Sequence, residues 1–304
     1  MPEIIMAAYK GAKYVAQQID SILAQTCTDW RLLIRDDGST DGTVAICQQY
    51  AARHPGKIRL LADNLGHLGY PGIYGELLRQ SSDDYVLVCN QDDVWLPEKI
   101  EKTLAAMRRL EKEIGPGVPA LVHTDSRVCN ENLEPIADSL LKYLHKKPNL
   151  PLNRLCVETP VYGHTVMINK ALRQLTNGLP ENASCEDWWM ALVATAFGRV
   201  LFLDEATVLF RRHSTTTSHG RKHGLFSYLR IPLSSWHRST DRTLRQCEAF
   251  YQTYGERLSP QQKKLLAAAS QIRHTNWFRR RYLIIRHGFF KTGLIKNIGL
   301  LAAV

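Results

Sequence analysis

The chain contains no Cys-x-x-Cys pair, although its 304 residues include seven cysteines, at positions 27, 47, 89, 129, 156, 185 and 247. An odd, scattered set argues against a disulfide frame or a zinc site and fits reduced, packed thiols in a reducing compartment. No apolar run approaches the length that crosses a bilayer. The opening MPEIIMAAYKG lacks a basic leader followed by an apolar core. The expected setting is therefore the cytoplasm. Neither a dinucleotide-binding glycine fingerprint nor a phosphate loop ending in Gly-Lys-Ser/Thr is present. Acidic residues are scarce in one region only. Residues 211–304 hold 3 Asp/Glu against 18 Lys/Arg, whereas residues 1–210 hold 26 against 21. A body of −5 joined to a tail of +15 predicts an anionic partner for the tail. At 44% hydrophobic and 22% charged, the chain should fold. Its length suits one large α/β domain with an extension, or two modest domains.

What is present is alternation. EIIMAAY (3–9), RLLIRD (31–36), KIRLLAD (57–63) and DYVLVC (84–89) have the apolar runs of buried strands. Between them, Val15, Ile19, Ile22 and Leu23 share one helical face, and Val44, Cys47 and Tyr50 follow the capping residues of GSTDGT at helical spacing. Pro97 opens a further helix with Ile100, Leu104, Met107 and Glu111. After a break at 113–120, ALVHTD reads as a strand and SRVCNENLEP as a turn region. A strand at 162–169, a helix near 186–197 and two short strands at 199–204 and 206–211 follow. From about 222 the pattern is helical and basic. The pattern predicts an α/β fold with parallel strands, helices on both faces, and ligands beyond the carboxyl ends of the strands. The expected organisation is a nucleotide-binding half (1–125), an acceptor and catalytic half (126–221) and a basic helical region (222–304).

Four stretches carry candidate chemistry. RDDGSTDGT sets Asp36 and Asp37 at a strand end, where carboxylates can accept hydrogen bonds from a base or a ribose. Helix capping explains the same residues. NQDDVW sets Asp92 and Asp93 at the mouth of a hydrophobic strand, with Trp95 and Pro97 fixed behind them. Such acids suit a hard divalent cation that shares its coordination sphere with phosphates. The alternative is an acidic patch favoured by the helix dipole near Pro97. NLGHLGYPGIYG, with glycines at 66, 69, 72 and 75, is either a flexible loop or a close approach of backbone to a diphosphate. CEDWWMALV opens an apolar helix on Glu186 and Asp187, as caps or with one as general base. At FRRH, Arg211 and Arg212 can meet phosphate and His213 can ligate a metal, or all three are surface residues.

In combination and order, AAYKGAKYVAQQIDSILAQT, RDDGSTDGT, QDDVWLPEKI, LVHTD, GHTVMIN, DWWMALVA and FRRH resemble the family-2 glycosyltransferases of GT-A fold, in particular their bacterial rhamnosyltransferase-like branch. The resemblance covers residues 3–213. It implies a mixed α/β sheet flanked by helices and an inverting, metal-dependent enzyme. The donor would be a nucleotide sugar, dTDP-rhamnose or a UDP-hexose, and the acceptor a lipid-linked, growing cell-surface polysaccharide. It implies that Ala7, Tyr9, Asp36, Asp37, Asn90 and Gln91 hold the donor nucleotide. Asp92, Asp93 and His213 would hold Mn²⁺ or Mg²⁺, and Arg211 and Arg212 phosphate. Asp187 would be the base. Trp95, Gly163, His164, Thr165, Glu186 and Trp188 would line the sugar and acceptor pocket. Asn90 departs from the branch's usual Asp-Gln-Asp-Asp, and His164 stands where a small or polar residue is expected.

In the tail, Trp277, Phe278, Leu283, Ile284, Phe289, Phe290, Leu294 and Ile295 are interleaved with Arg279, Arg280, Arg281, Arg286, Lys291 and Lys296. A basic helix with such residues can lie on an anionic membrane surface, here the inner face of the cell membrane. The same residues can instead pack on the catalytic domain or on a second copy. Nucleic acid is not expected as a partner, because the first two-thirds is acidic and no helix-turn-helix, zinc or RNA-binding signature occurs.

Overall fold

The computed structural model describes residues 1–176, 178–213 and 232–304. Four strands at its centre are parallel: β1 (Pro2–Ala8), β2 (Arg31–Asp36), β3 (Ile58–Leu60) and β4 (Tyr85–Asn90). β2 and β4 flank β1, and β3 lies outside β2. The remaining strands are β5 (Val94–Trp95), β6 (Ala120–Cys129), β7 (Pro135–Ala137), β8 (Val166–Asn169) and β9 (Arg199–Arg211). β8 is antiparallel to both β4 and β6, β6 is parallel to β9, and β5 closes the far edge antiparallel to β9. The sheet order is β3-β2-β1-β4-β8-β6-β9-β5, with β7 paired to β6. The expected mixed α/β sheet is the observed one.

Side chains alternate across a strand, so each strand feeds two cores. Ile4, Met6, Leu32, Ile34, Leu87 and Cys89 pack with α1 (Val15–Leu23), α2 (Thr43–Arg53) and α4 (Lys99–Ile114). Ile5, Leu33, Val86 and Val88 face the other way, against α3 (Gly72–Gln80) and α8 (Glu186–Phe197). Short helices α5 (Leu140–Tyr143), α6 (Leu152–Leu155) and α7 (Lys170–Thr176) fill the connections.

Several boundaries differ from the sequence pattern. α3 occupies the glycine-bearing stretch that reads as a loop; Gly75 lies where an added Cβ would come within 3.3 Å of the Leu179 amide nitrogen. β6 continues through Ser126–Cys129 instead of turning. β9 is one strand of 13 residues rather than two, because Leu203-Asp204-Glu205 bulge out of register between the Phe202–His123 and Ala206–Asp125 pairs with β6. Gly163–Thr165 forms a 3₁₀ turn ahead of β8.

The tail forms α9 (Leu233–Tyr254), α10 (Pro260–Gln271), α11 (Trp277–His287) and α12 (Leu294–Ala303). The expected boundary at 221/222 lies outside the described residues. Ser259 and Gln262 form a capping box at α10, with Pro260 in its first turn. Gly288 closes α11 at φ 66°, a conformation that glycine adopts without penalty. Tail residues Leu244, Cys247, Phe250, Tyr254, Leu283, Ile284 and Phe289 join the same core as Trp189 of α8. Asn153 and Arg154 of α6 hold the turn after α11 by donating to the carbonyls of His287, Gly288 and Phe290. Part of the tail's apolar pattern thus packs on the α/β body. The rest does not: Trp277, Phe278 (78% exposed), Tyr282 and Ile285 lie outward on α11, and Leu294 (77% exposed) and Ile298 on α12. No helix among the described residues is long and apolar enough to cross a membrane.

Candidate active site

β1, β2 and β4 are parallel, so their carboxyl ends reach one edge of the sheet, and there a pocket of about 550 Å³ opens. Its lining includes Ala7, Tyr9, Asp37, Asn90, Gln91, Asp92, Gly163, His164, Glu186, Asp187 and His213. The expected Asp36, Asp93, Trp95, Thr165, Trp188, Arg211 and Arg212 are not on its wall.

Asp37 organises part of this wall. Its carboxylate accepts from the amides of Leu68 and Gly69, each at 2.8 Å, and from Arg35 Nη1 at 2.6 Å, and lies 2.9 Å from His67 Nδ1. It thereby folds the 66–69 turn, where Gly66 and Gly69 take positive φ, over the strand ends. Tyr9, 42% exposed, stands with its ring 5.1 Å from that of His67. Asp36 accepts from the amides of Gly38 and Ser39 and from the Ser39 hydroxyl, so it shapes its own loop. Gln91 brackets Tyr9, accepting from its amide at 2.9 Å and donating to its carbonyl at 2.8 Å. A Cβ on Gly11 would stand 2.0 Å from Gln91 Oε1, so a side chain there would push Gln91 off the Tyr9 backbone.

The two acids of NQDDVW separate. Asp92 faces the pocket, and its Oδ2 lies 2.9 Å from His213 Nε2. Asp93 is 1% exposed; it accepts from the Arg211 amide at 3.0 Å and from Asn90 Nδ2 at 3.4 Å. Burial, and then the Asp92 charge, push its carboxyl well above the usual carboxylate range. Beneath it Lys99 is buried between Asp93, Thr207 and the Trp95 ring, and burial pushes its ammonium down to about 7. Asn90 also accepts from the Tyr74 hydroxyl at 3.2 Å. Arg211 is buried, and its guanidinium donates to the carbonyls of Asp92 and Glu131 and to Gln17 Oε1. Arg211 braces the acidic loop from behind, which corrects its expected position on phosphate. Arg212 donates to the Tyr143 hydroxyl at 2.8 Å, away from the pocket.

Also on the pocket wall, Glu186 and Asp187 occupy the first turn of α8, whose dipole favours negative charge. Asp187 accepts from the Gly163 amide at 2.8 Å and the Trp188 amide at 2.6 Å. Glu186 is different: burial and then the Asp187 charge push its carboxyl up to about 8, with the Tyr70 hydroxyl opposing the shift. Its Oε2 has no hydrogen-bond partner among the described residues. A Cβ on Gly163 would stand 2.5 Å from Glu186 Oε1, so glycine there is a packing requirement. His164 stacks 4.9 Å from Phe210 and lies 3.0 Å from the Ser126 hydroxyl; burial, aided by Lys99, pushes it down to about 3, so the ring is neutral. Thr165 donates to the Tyr162 carbonyl and the Trp188 indole to that of Leu155, so both hold the wall from outside. Trp95 is buried against α4.

The sequence pattern does not single out Lys10, Tyr14, His67, Tyr70, Ile73, Tyr74, Tyr162 or Phe210, which also line the pocket. Four of them sit in NLGHLGYPGIYG, whose aromatic and His content was the available signal.

A neutral Glu186 has a thermodynamic signature. Its folded pKa lies above the ordinary 4.5, so its contribution to stability is present below pH 4.5 and lost as pH rises through about 8. Glu186→Gln, which cannot ionise, should be roughly 2–4 kcal/mol more stable than wild type at pH 8 and nearly equal to it at pH 4.5. Urea unfolding at the two pH values measures this. Equal stability at pH 8 would show Glu186 to be ordinarily ionised.

Among the described residues no group of three or more His, Cys, Asp or Glu forms a metal cage. Asp92 and His213 offer one carboxylate and one imidazole facing the pocket. That pair fits a divalent cation which draws its other ligands from a diphosphate and water.

Over 103 residues the chain is 32% identical to the dTDP-rhamnosyl transferase RfbG of Shigella flexneri, covering 33% of this chain and 35% of that one. The chain spans between 38% and 61% of the length of the first curated relatives it matches. The fold is similar to that of S. aureus TarS in complex with UDP-GlcNAc, with a TM-score of 0.56 and 15% identity over 99% of this chain and 90% of that one. It is also similar to the mannosyltransferase PcManGT from Pyrobaculum calidifontis in complex with GDP-Man and Mn²⁺, with a TM-score of 0.53 and 17% identity over 93% and 73% of the two chains. The model of glycosyl transferase family 2 matches residues 3–171, more than half of the chain and every strand from β1 to β8, and the chain therefore belongs to that family, in its GT-A fold.

Proposed function

We propose that the chain is an inverting glycosyltransferase. In this reading it moves L-rhamnose from dTDP-rhamnose to a growing, lipid-linked cell-surface polysaccharide. The observation that carries the transfer chemistry is the set of groups gathered on one pocket wall. Tyr9 and Asp37, Asp92 with His213, and Glu186 with Asp187 all line it. The similarity to a dTDP-rhamnosyl transferase supports rhamnose. A UDP-linked hexose is the second reading, because the ring faces of Tyr9 and His67 accept uracil as well as thymine.

Asp92 and His213 would hold Mn²⁺ or Mg²⁺, which when bound supplies positive charge to the diphosphate leaving group. The chain's own residues do the rest. Tyr9, His67 and the loop folded by Asp37 orient the nucleotide. Asn90 offers ribose a neutral hydrogen-bonding group beside acids already crowded together. Asp187 takes the proton from an acceptor hydroxyl as its oxygen attacks the anomeric carbon opposite the diphosphate, and one displacement inverts the configuration. Glu186, holding its proton near neutral pH, can donate a hydrogen bond to a sugar hydroxyl. The outward Trp277, Phe278, Tyr282 and Ile285, flanked by Arg279, Arg281 and Arg286, suit contact with an anionic membrane at the inner face of the cell membrane. They equally suit a second copy of the chain.

Thermal-shift screening of nucleotide sugars with and without Mn²⁺, followed by a transfer assay with the stabilising donor, tests the reading. The expected result is Mn²⁺-dependent stabilisation by dTDP-rhamnose ahead of UDP-hexoses. Stabilisation by UDP-hexoses alone would replace rhamnose, and no stabilisation by any nucleotide sugar would overturn the function.

A further inference from the structure

Two ammonium groups pair with one carboxylate, and a third lysine lies nearby, where the tail crosses the α/β body. Glu158 is buried and lies 3.6 Å from Lys146 Nζ and 3.5 Å from Lys296 Nζ, and it accepts from the Thr292 amide at 2.7 Å. Lys291 stands in the same electrostatic neighbourhood. Its hydrogen bonds among the described residues are made by its backbone, with Asn297, while its Nζ lies 6.0 Å from the Trp236 ring. Glu158 therefore pairs with two cations from two parts of the chain, and Lys291, next to the Thr292 amide that Glu158 accepts from, adds a third cation to the neighbourhood.

The imbalance is felt by Glu158, Lys291 and Lys146. Burial pushes Glu158 up, yet Lys146, the Thr292 amide and Lys296 outweigh it and hold the carboxyl below its ordinary range. Burial pushes Lys291 down to about 8, and its neighbours Lys146 and Lys296 push the same way against Glu158. Lys146 is also pushed down, by burial first. Largely desolvated like charges are costly unless an anion completes the set.

The position is informative. Lys146 Nζ lies 5.9 Å from the ring of Tyr162, which lines the pocket, and the charge of Asp187 reaches Lys146. The cluster therefore adjoins the part of the pocket assigned to the acceptor. α12, which carries Lys296, also presents the exposed Leu294 and Ile298.

We propose that Lys146, Lys291 and Lys296 form a binding site for a phosphate or diphosphate group, carried by a lipid-borne acceptor or a lipid headgroup, beside the acceptor part of the pocket. The anion site stands on the lysine cluster alone; the acceptor role rests on the sugar-transfer reading. Calorimetry of the full chain in EDTA, so that no metal recruits phosphate to Asp92, tests it with inorganic pyrophosphate and with geranyl diphosphate. Co-sedimentation with phosphatidylglycerol and phosphatidylcholine vesicles forms the third arm. Wild type should bind geranyl diphosphate, and Lys291→Gln/Lys296→Gln should weaken it about tenfold or more, while Lys291→Arg keeps it. Stronger binding of geranyl diphosphate than of pyrophosphate supports a lipid-borne acceptor. Loss of phosphatidylglycerol binding alone in the double variant supports a headgroup. Equal binding of all three probes by wild type and double variant, or none by wild type, overturns the site. If the double variant does not fold, Lys291→Gln alone decides, because that ammonium makes no ion pair within 4.0 Å of an acid among the described residues. Failure of the sugar-transfer reading would appear separately, as loss of nucleotide-sugar binding by wild type.

Discussion

Asp187→Asn should lower sugar transfer about 10³-fold while nucleotide-sugar affinity stays within about twofold, as expected for removal of a general base. The substitution keeps the shape of the side chain and one acceptor oxygen for the Gly163 or Trp188 amide, so the start of α8 should hold its place. What disappears is a carboxylate able to take the proton of an attacking hydroxyl. Glu186, next to it, loses the Asp187 charge in this variant but stays buried, and burial, the larger cause of its raised pKa, still favours the protonated form over a base. Steady-state transfer together with calorimetric donor binding makes the measurement. A near wild-type rate would end the assignment of Asp187, and a parallel loss of donor binding would make its role structural.

A second large effect should separate the neighbouring acids of NQDDVW. Asp92→Asn should cost roughly 10²–10³-fold in kcat/KM and abolish the response to Mn²⁺, by analogy with the loss of one group that stabilises developing charge. Asp93→Asn should leave the Mn²⁺ response in place. Asp92 faces the pocket beside His213, with its side chain 24% exposed, whereas Asp93 lies sealed beneath and is pushed toward its neutral form. An Asn at 93 is therefore close to what is already there. Metal titrations of activity on both variants decide; equal loss of the Mn²⁺ response would mean that the acids act as one unit. The same geometry gives Asn90 a reason: an Asp at 90 would set one more carboxylate beside Asp93, where the amide now donates a hydrogen bond.

Much of this was legible because strand and helix periods are strong where burial is two-sided. Ile4, Ile5 and Met6 sit wholly inside, as do Val15, Ile19 and Ile22, and these runs announce β1 and α1. α3 was hidden by Gly72 and Gly75, which weaken helical propensity but are tolerated where Gly75 meets the Leu179 backbone. The continuity of β9 was hidden by Asp204 and Glu205, which read as a turn but lie in a bulge of the strand that leaves its pairing with β6 intact on either side. In the site, residue types at strand ends were informative but their directions were not. Asp36 and Asp37 are adjacent in a backbone that turns between them, so only one faces the pocket. Arg211 ends a strand beside its neighbour His213, yet its guanidinium runs back to Gln17 and Glu131. The Lys146–Glu158–Lys291–Lys296 group joins positions up to 150 residues apart, which no local pattern reports.

α8 begins at Glu186 and Asp187, and three residues after Glu186 places Trp189 against Phe250 and Tyr254 of α9. The helix that presents the acids is thus seated on the tail as much as on the sheet. In evolutionary terms this tail is not an interchangeable module. Exchanging it wholesale between relatives would disturb the seat of α8, whereas its outward side chains on α11 and α12 can change without moving that seat. New acceptors or new surfaces would then be reached by resurfacing the tail in place, one exposed side chain at a time.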